Sequence, residues 1–125
     1  MTKARGEKGR YGEDLAAKFL TRHGYRIIQL NYRASCGEVD IVAQDKDTLV
    51  FVEVKTRTGT GFGSPAEAVT HRKRQQISKT ALVYLSQQRL LNEPARFDVV
   101  AVLLRKDAEP LIELIKNAFD LAYEG

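Results

Sequence analysis

The stretch from Gly37 to Lys55 constrains this chain more than any other. Two apolar, β-branched runs, Val39–Ala43 and Leu49–Val54, flank the polar tetrad Asp45-Lys46-Asp47-Thr48. That is the pattern of two β-strands joined by a tight turn. If Asp45 pairs with Thr48 across a two-residue loop, every strand position acquires a partner: Asp40 falls opposite Glu53, and Glu38 opposite Lys55. Side chains alternate between the faces of a strand, so these four charged groups share one face, with Val42, Leu49 and Phe51 nearer the turn. The other face, Val39, Ile41 and Ala43 against Val50, Val52 and Val54, is wholly apolar. A slip of one residue in the register would exchange the two faces.

Directly opposed residues on antiparallel strands have Cβ atoms roughly 5 Å apart. Two carboxylates held that close repel each other. A divalent cation turns the repulsion into a binding site, since Mg²⁺ takes one or two carboxylates together with waters and substrate phosphates. The plainer alternative is a solvated strand end on which Glu38 pairs with Lys55. Apolar residues on both faces of both strands argue instead for a buried hairpin with its acids gathered for a purpose.

Before the hairpin, Leu15, Ala16, Phe19 and Leu20 make an apolar stripe that predicts a helix from Tyr11 to His23, with Gly24 as its stop. Residues 1–10, with Lys3, Arg5, Lys8 and Arg10, read as a flexible basic arm. Glu13 lies in the first helical turn, where the helix dipole favours an acid, and also beside the edge of the apolar stripe. Tyr25–Tyr32 reads as the first strand. Cys36 reads as a turn residue, with nothing beside it to activate a thiol.

After Lys55 the glycine-rich run Thr56–Gly63 fits neither the dinucleotide fingerprint nor the nucleotide P-loop. It reads as a flap able to touch a phosphate backbone, or as a connector. Ser64-Pro65-Ala66-Glu67 has the form of a capping box and predicts a helix to about Gln88. Val69, Ile77, Ala81, Tyr84 and Leu85 form its inner face, and His71-Arg72-Lys73-Arg74-Gln75-Gln76 a basic first half. Such a run is ordinarily a solvated face; beside an acidic cluster it suits phosphate. Arg96–Leu104 is almost unbroken apolar, as in a central strand, and the helical crossover makes it parallel to the strand of Glu53. Asp98 reads as a strand-end polar group rather than a ligand. Pro110–Ile115 predicts an edge strand, and Asn117–Tyr123 a terminal helical turn.

The order is helix, three strands, helix, two strands: one α/β domain over residues 1–125, with helices flanking a mixed sheet. Charged residues at 29% and hydrophobic ones at 43% indicate a soluble globular chain. The formal charge of +4 points only weakly to a polyanionic partner. One cysteine excludes an internal disulfide and suits a reducing cytoplasm, and two histidines leave little for a zinc site. The charged N-terminus is no signal peptide, no apolar run reaches membrane-spanning length, and no membrane partner is expected.

Asp40 followed by Glu53-Val54-Lys55 on the next strand of a helix-first mixed sheet resembles the PD-(D/E)xK nucleases, which include restriction endonucleases and Holliday-junction resolvases. The wording Gly37-Glu38-Val39-Asp40-Ile41-Val42 and Val50-Phe51-Val52-Glu53-Val54-Lys55-Thr56-Arg57 resembles more narrowly the YraN-type family of small, uncharacterised bacterial proteins. The likeness runs from Gly12-Glu13 to Arg96-Phe97-Asp98-Val99-Val100. It departs in one place: Val39 stands where the superfamily has proline. The resemblance implies a restriction-endonuclease-like αβββαβ core and a Mg²⁺- or Mn²⁺-dependent endonuclease, acting on DNA sooner than RNA, with branched or structured DNA in repair or recombination among the expected substrates. The alternative is a nucleic-acid-binding module that keeps the fold without cutting. By resemblance, Asp40, Glu53 and the backbone carbonyl of Val54 would hold the metal. Lys55 would orient or help deprotonate the attacking water, and Glu13 would be an accessory acid. Lys73 and Gln76 would hold phosphate, with Arg10, Arg57 and Arg72 as further contacts to nucleic acid. A two-fold dimer is expected by analogy with resolvases.

Overall fold

The computed structural model describes residues 6–59 and 69–121. Its centre is the expected hairpin. Strand β2 (Gly37–Asp45) pairs antiparallel with β3 (Thr48–Thr58), in register from Asp45 opposite Thr48 to Ile41 opposite Val52. Lys46 turns the corner with φ +56°, the left-handed geometry that a two-residue hairpin loop demands. Strand β1 (Arg26–Ala34) lies antiparallel on the outer side of β2. Beyond β3, β4 (Ala95–Leu104) runs parallel to it and β5 (Leu111–Phe119) antiparallel to β4, giving the sheet order β1-β2-β3-β4-β5.

Helix α1 (Glu7–Arg22) covers one face, where Ala16 and Leu20 pack with Ile41, Ala43, Val50, Val52, Val100 and Val102. Helix α2 (His71–Gln87) covers the other, where Ile77, Ala81, Tyr84 and Leu85 meet Val42, Leu49, Phe51, Phe97 and Val99. This is the restriction-endonuclease-like α/β core with one strand added at the edge. The long parallel pairing of β3 and β4 follows from the α2 crossover, as the sequence predicts. Gly24, with φ +90°, follows α1 as its stop.

Three boundaries differ from expectation. Helix α1 starts at Glu7, so the part of the basic arm from Glu7 to Arg10 is helical. Helix α2 starts at His71, because Thr70 is extended (φ −65°, ψ 162°) and its hydroxyl caps the helix by accepting from the Lys73 N–H. The predicted cap at Ser64, and residues 60–63 of the glycine-rich run, lie outside the described residues, whereas Thr56–Thr58 lengthen β3. At the far edge, Asn117–Phe119 is strand rather than helical turn. Asn117, at φ +52°, lies where the β4–β5 register shifts, and the bulge lets β5 continue until the Phe119 ring stacks on Phe97 at 4.9 Å.

Two packing details hold the layers in place. Gly12 of α1 sits so close to β3 that a Cβ there would collide with the Thr56 side chain. Gly12→Ala should therefore cost roughly 1–3 kcal/mol by overpacking, measurable as a lower midpoint in urea unfolding; an unchanged midpoint would mean that the helix does not seat there.

At the turn end of the sheet, Asp98 is fully buried on the α1 side. It accepts hydrogen bonds from the Tyr25 hydroxyl (2.9 Å), Arg96 Nε (2.9 Å) and Nη2 (3.2 Å), and the Asn117 N–H (2.9 Å). Arg96 also donates to Asp45 at 2.7 Å, holding that carboxyl below the usual carboxylate range, while burial and then Asp98 push the Tyr25 phenol up. Asp98 is thus a strand-end polar group, as expected, and ties the start of β1, the β2–β3 turn, β4 and the β5 bulge together.

Candidate functional site

Past Ile41 and Val52 the hairpin ladder stops. Continued, its register would set Asp40 beside Glu53; instead the Val54 N–H donates to Asp40 Oδ2 at 2.8 Å. A side-chain carboxylate has taken the place of a ladder carbonyl. The packing explains how. Ile41 belongs to the α1 layer, but Val39 belongs to the α2 layer, although strict alternation puts both on one face. Across from Asp40 on β1, between the pairs Leu30–Ile41 and Tyr32–Val39, stands Asn31 with φ +55°. Both strands turn over at this point, and the Asp40 side chain is directed toward β3. The expected all-apolar face therefore loses Val39 while keeping Ile41, Ala43, Val50, Val52 and Val54.

On β3, Val52 and Val54 pack toward α1, so Glu53 and Lys55 face the α2 side. The Glu53 residue is only 5% exposed and Asp40 7%. The two carboxyl groups lie close enough that the charge of Asp40 disfavours ionisation of Glu53. Glu53 Oε2 also lies 3.7 Å from Lys55 Nζ and 3.7 Å from Lys73 Nζ, the latter reaching across from the first turn of α2. Burial and, next, the charge of Asp40 push the Glu53 carboxyl up to about 8; the two ammonium groups only partly offset them. Lys55 is available to this acid because Glu38, its partner in the extrapolated register, is held by Arg33 Nε of β1 at 3.2 Å.

The structure thus brings together Asp40, Glu53, Lys55 and Lys73. Glu13 is buried, but on α1, one residue after the glycine that meets Thr56 from the other face of β3. Among the described residues no three His, Cys, Asp or Glu side chains group closely enough to hold a metal ion, so Glu13 does not join the two acids as a third ligand. Arg57 continues the face of Glu53 and Lys55 along β3. Arg72 and Gln76 are exposed on α2, Gln76 beside the Gly37 turn, and Arg10 is exposed on α1. The basic run is not one uniform surface: Arg74 Nε donates to the Val69 carbonyl, and its guanidinium lies 5.3 Å from the centre of the Phe119 ring. Cys36 packs its sulfur 3.5 Å from the Thr80 hydroxyl, as befits a turn residue.

Two features escape any reading of the sequence. Nothing in Gly37-Glu38-Val39-Asp40-Ile41 signals the reversal that aims Asp40 at the Val54 N–H. The Lys73–Glu53 contact joins elements whose approach only the folded layers define. As donors, Asp40 and Glu53 are hard oxygen ligands in a nearly dry setting. Burial and the neighbouring Asp40 make Glu53 costly to charge, a cost that a divalent cation would relieve, and two carboxylates fit Mg²⁺ or Mn²⁺ better than a nitrogen- and sulfur-seeking zinc ion.

The uncharacterised protein family UPF0102 matches this sequence over residues 12–102. The chain belongs to the UPF0102 family. The matched span holds Asp40, Glu53, Lys55 and Lys73. Among UPF0102 relatives, a protein of Trichlorobacter lovleyi is 55% identical over 116 residues, covering 92% of this chain and 91% of its own. One of Geobacter sulfurreducens is 56% identical over 112 residues (90% and 88%), and one of Nocardia farcinica 49% identical over 111 residues (89% and 87%). UPF0102 is the YraN-type family that the hairpin motifs resemble. No helix among the described residues of this UPF0102 chain is long and apolar enough to cross a membrane.

Proposed function

We propose that this chain is a metal-dependent endonuclease that hydrolyses phosphodiester bonds in DNA, including branched or structured DNA. The observation that carries the reading is the meeting of Asp40 and Glu53, from neighbouring strands, with the Lys55 ammonium 3.7 Å from the shared acid. Asp40 and Glu53, with the Val54 carbonyl, would hold Mg²⁺ or Mn²⁺. When bound, such an ion supplies Lewis acidity at the phosphoryl oxygen and a more acidic water. Lys55, two residues from Glu53 on the same strand face, donates to the attacking water or to the oxygens on which charge develops. Lys73, Arg72, Gln76, Arg57 and Arg10 contact the phosphate backbone, which positions the strand without reading its bases. Glu13 stands in the other layer and acts as an accessory acid. A cytoplasmic location and a two-fold dimer belong to the same reading.

Thermal melting with and without Mn²⁺ tests it first. The metal should raise the Tm of the wild type, and Asp40→Asn should abolish that gain. A cleavage panel of duplex, single-stranded, flap and four-way-junction DNA then decides the chemistry. Lys55→Ala should lower the Mn²⁺-dependent rate by roughly 10²–10³-fold, and EDTA should remove the activity. Equal cutting by the variant would assign the activity to a contaminant.

One observation favours a second reading, a nucleic-acid-binding module that does not cut. Glu53 is already countered by two lysines, and among the described residues no third acid joins the pair. DNA binding that is indifferent to Mn²⁺, with no product from any substrate, would establish that reading instead.

A further inference from the structure

The two lysines on Glu53 are not equivalent. Lys55 is tethered to the acid by the strand they share, whereas Lys73 comes from a separate layer to place its ammonium on the same oxygen, Oε2. Its backbone is fixed by the Thr70 cap, but its side chain is 38% exposed and has room to swing outward. Its position is also electrostatically costly. The first turn of α2 is His71-Arg72-Lys73-Arg74 with no acid among them, so cations crowd the positive end of the helix dipole. An acidic partner therefore favours Lys73, and the acid it meets is Glu53, at 3.7 Å.

We infer that Lys73 is a built-in counter-cation that competes with the divalent metal for Glu53 and, once displaced, binds the phosphate backbone. The inference rests on the nuclease reading and names a regulation of that site: metal and polyanion each strengthen the binding of the other. A cation entering between Asp40 and Glu53 removes the attraction that holds Lys73 inward. A phosphate group outside offers Lys73 a new partner and leaves Glu53 open to the metal. Coupling of this kind is reciprocal by thermodynamic necessity.

The test uses the full chain and two readouts that do not depend on cleavage. Free Mn²⁺ followed by electron paramagnetic resonance should show Lys73→Gln binding the ion about tenfold more tightly than the wild type, a typical coupling. Lys79→Gln, which removes an exposed lysine further along α2, should not change the affinity. Fluorescence anisotropy of a labelled DNA duplex in EDTA and in Ca²⁺ supplies the second arm. Divalent ion should favour binding by the wild type several-fold more than binding by Lys73→Gln. Mn²⁺ affinity that is equal or weaker in a folded Lys73→Gln protein would overturn the inference while leaving the metal site intact. No Mn²⁺ binding by either protein would overturn both the inference and the nuclease reading. Binding by the variant alone would support the inference in its strongest form.

Discussion

Asp98→Ala should cost about 3–5 kcal/mol of stability, the usual penalty for removing one partner of a buried, hydrogen-bonded charge pair. Asp98 is fully buried and accepts four hydrogen bonds. Without it, Arg96 keeps Asp45 and the Tyr25 hydroxyl, but Nε and the Asn117 N–H lose their acceptor. A domain of this size has only about 5–15 kcal/mol in total, so Tm should fall by roughly 10–20 °C. Tyr25→Phe, which removes one donor and keeps the ring, should cost only about 1–2 kcal/mol. Urea unfolding followed by circular dichroism measures both. A loss below 1 kcal/mol for Asp98→Ala would show that the network is not what joins β1, the β2–β3 turn and β5 to β4.

Glu53→Gln should act in the opposite direction. In EDTA it should stabilise the chain, by about 3–5 kcal/mol at pH 8.5–9, or roughly 10–20 °C in Tm. The sign comes from proton counting. The carboxyl is raised from 4.5 to about 8 in the folded state. Between those values the folded chain keeps a proton that the unfolded chain releases. The contribution of this group is therefore fully present below about pH 4.5 and is lost as pH rises through about 8. Glutamine is close to the protonated acid in shape and has no such loss, so the difference between variant and wild type should be near zero at pH 4.5 and largest above pH 8. The same substitution removes a ligand charge, so it should eliminate the Mn²⁺-dependent gain in Tm and lower cleavage by at least about 10²-fold. A variant less stable than the wild type at pH 8.5 in EDTA would mean that the two lysines outweigh burial and the repulsion from Asp40. A stabilising mutation that abolishes function is the pattern expected where a fold holds strain at its working site.

These two residues also show what can be read without coordinates. Asp98 and Glu53 are both acids in apolar strands, but Asp98 reads as an ordinary strand-end polar group and only Glu53 as part of a site. Only Glu53 lies in the hairpin whose turn residues fix its register, so its closeness to Asp40 followed from counting pairs back from Asp45 and Thr48. Asp98 is joined to Tyr25 and Arg96 at separations of 73 and 2 residues, and no local pattern reports the longer of those contacts. The helix boundaries illustrate the same limit. Ser64-Pro65-Ala66-Glu67 has the form of a capping box but lies outside the described residues, and the cap of α2 is Thr70.

The sequence by itself determined the element order, the hairpin register from Asp45–Thr48 to Ile41–Val52, the parallel β3–β4 pairing and the family. These depend on turn chemistry, periodicity and connection length, all of which act between near neighbours in the chain. Only the tertiary structure decided that Val39 and Ile41 part to opposite layers, that Asp40 takes the Val54 N–H, and that Lys73 shares Glu53 with Lys55. The reason is physical: a strand's two faces are distinguished by the layers packed on them, and side chains from separate layers meet only after those layers have closed.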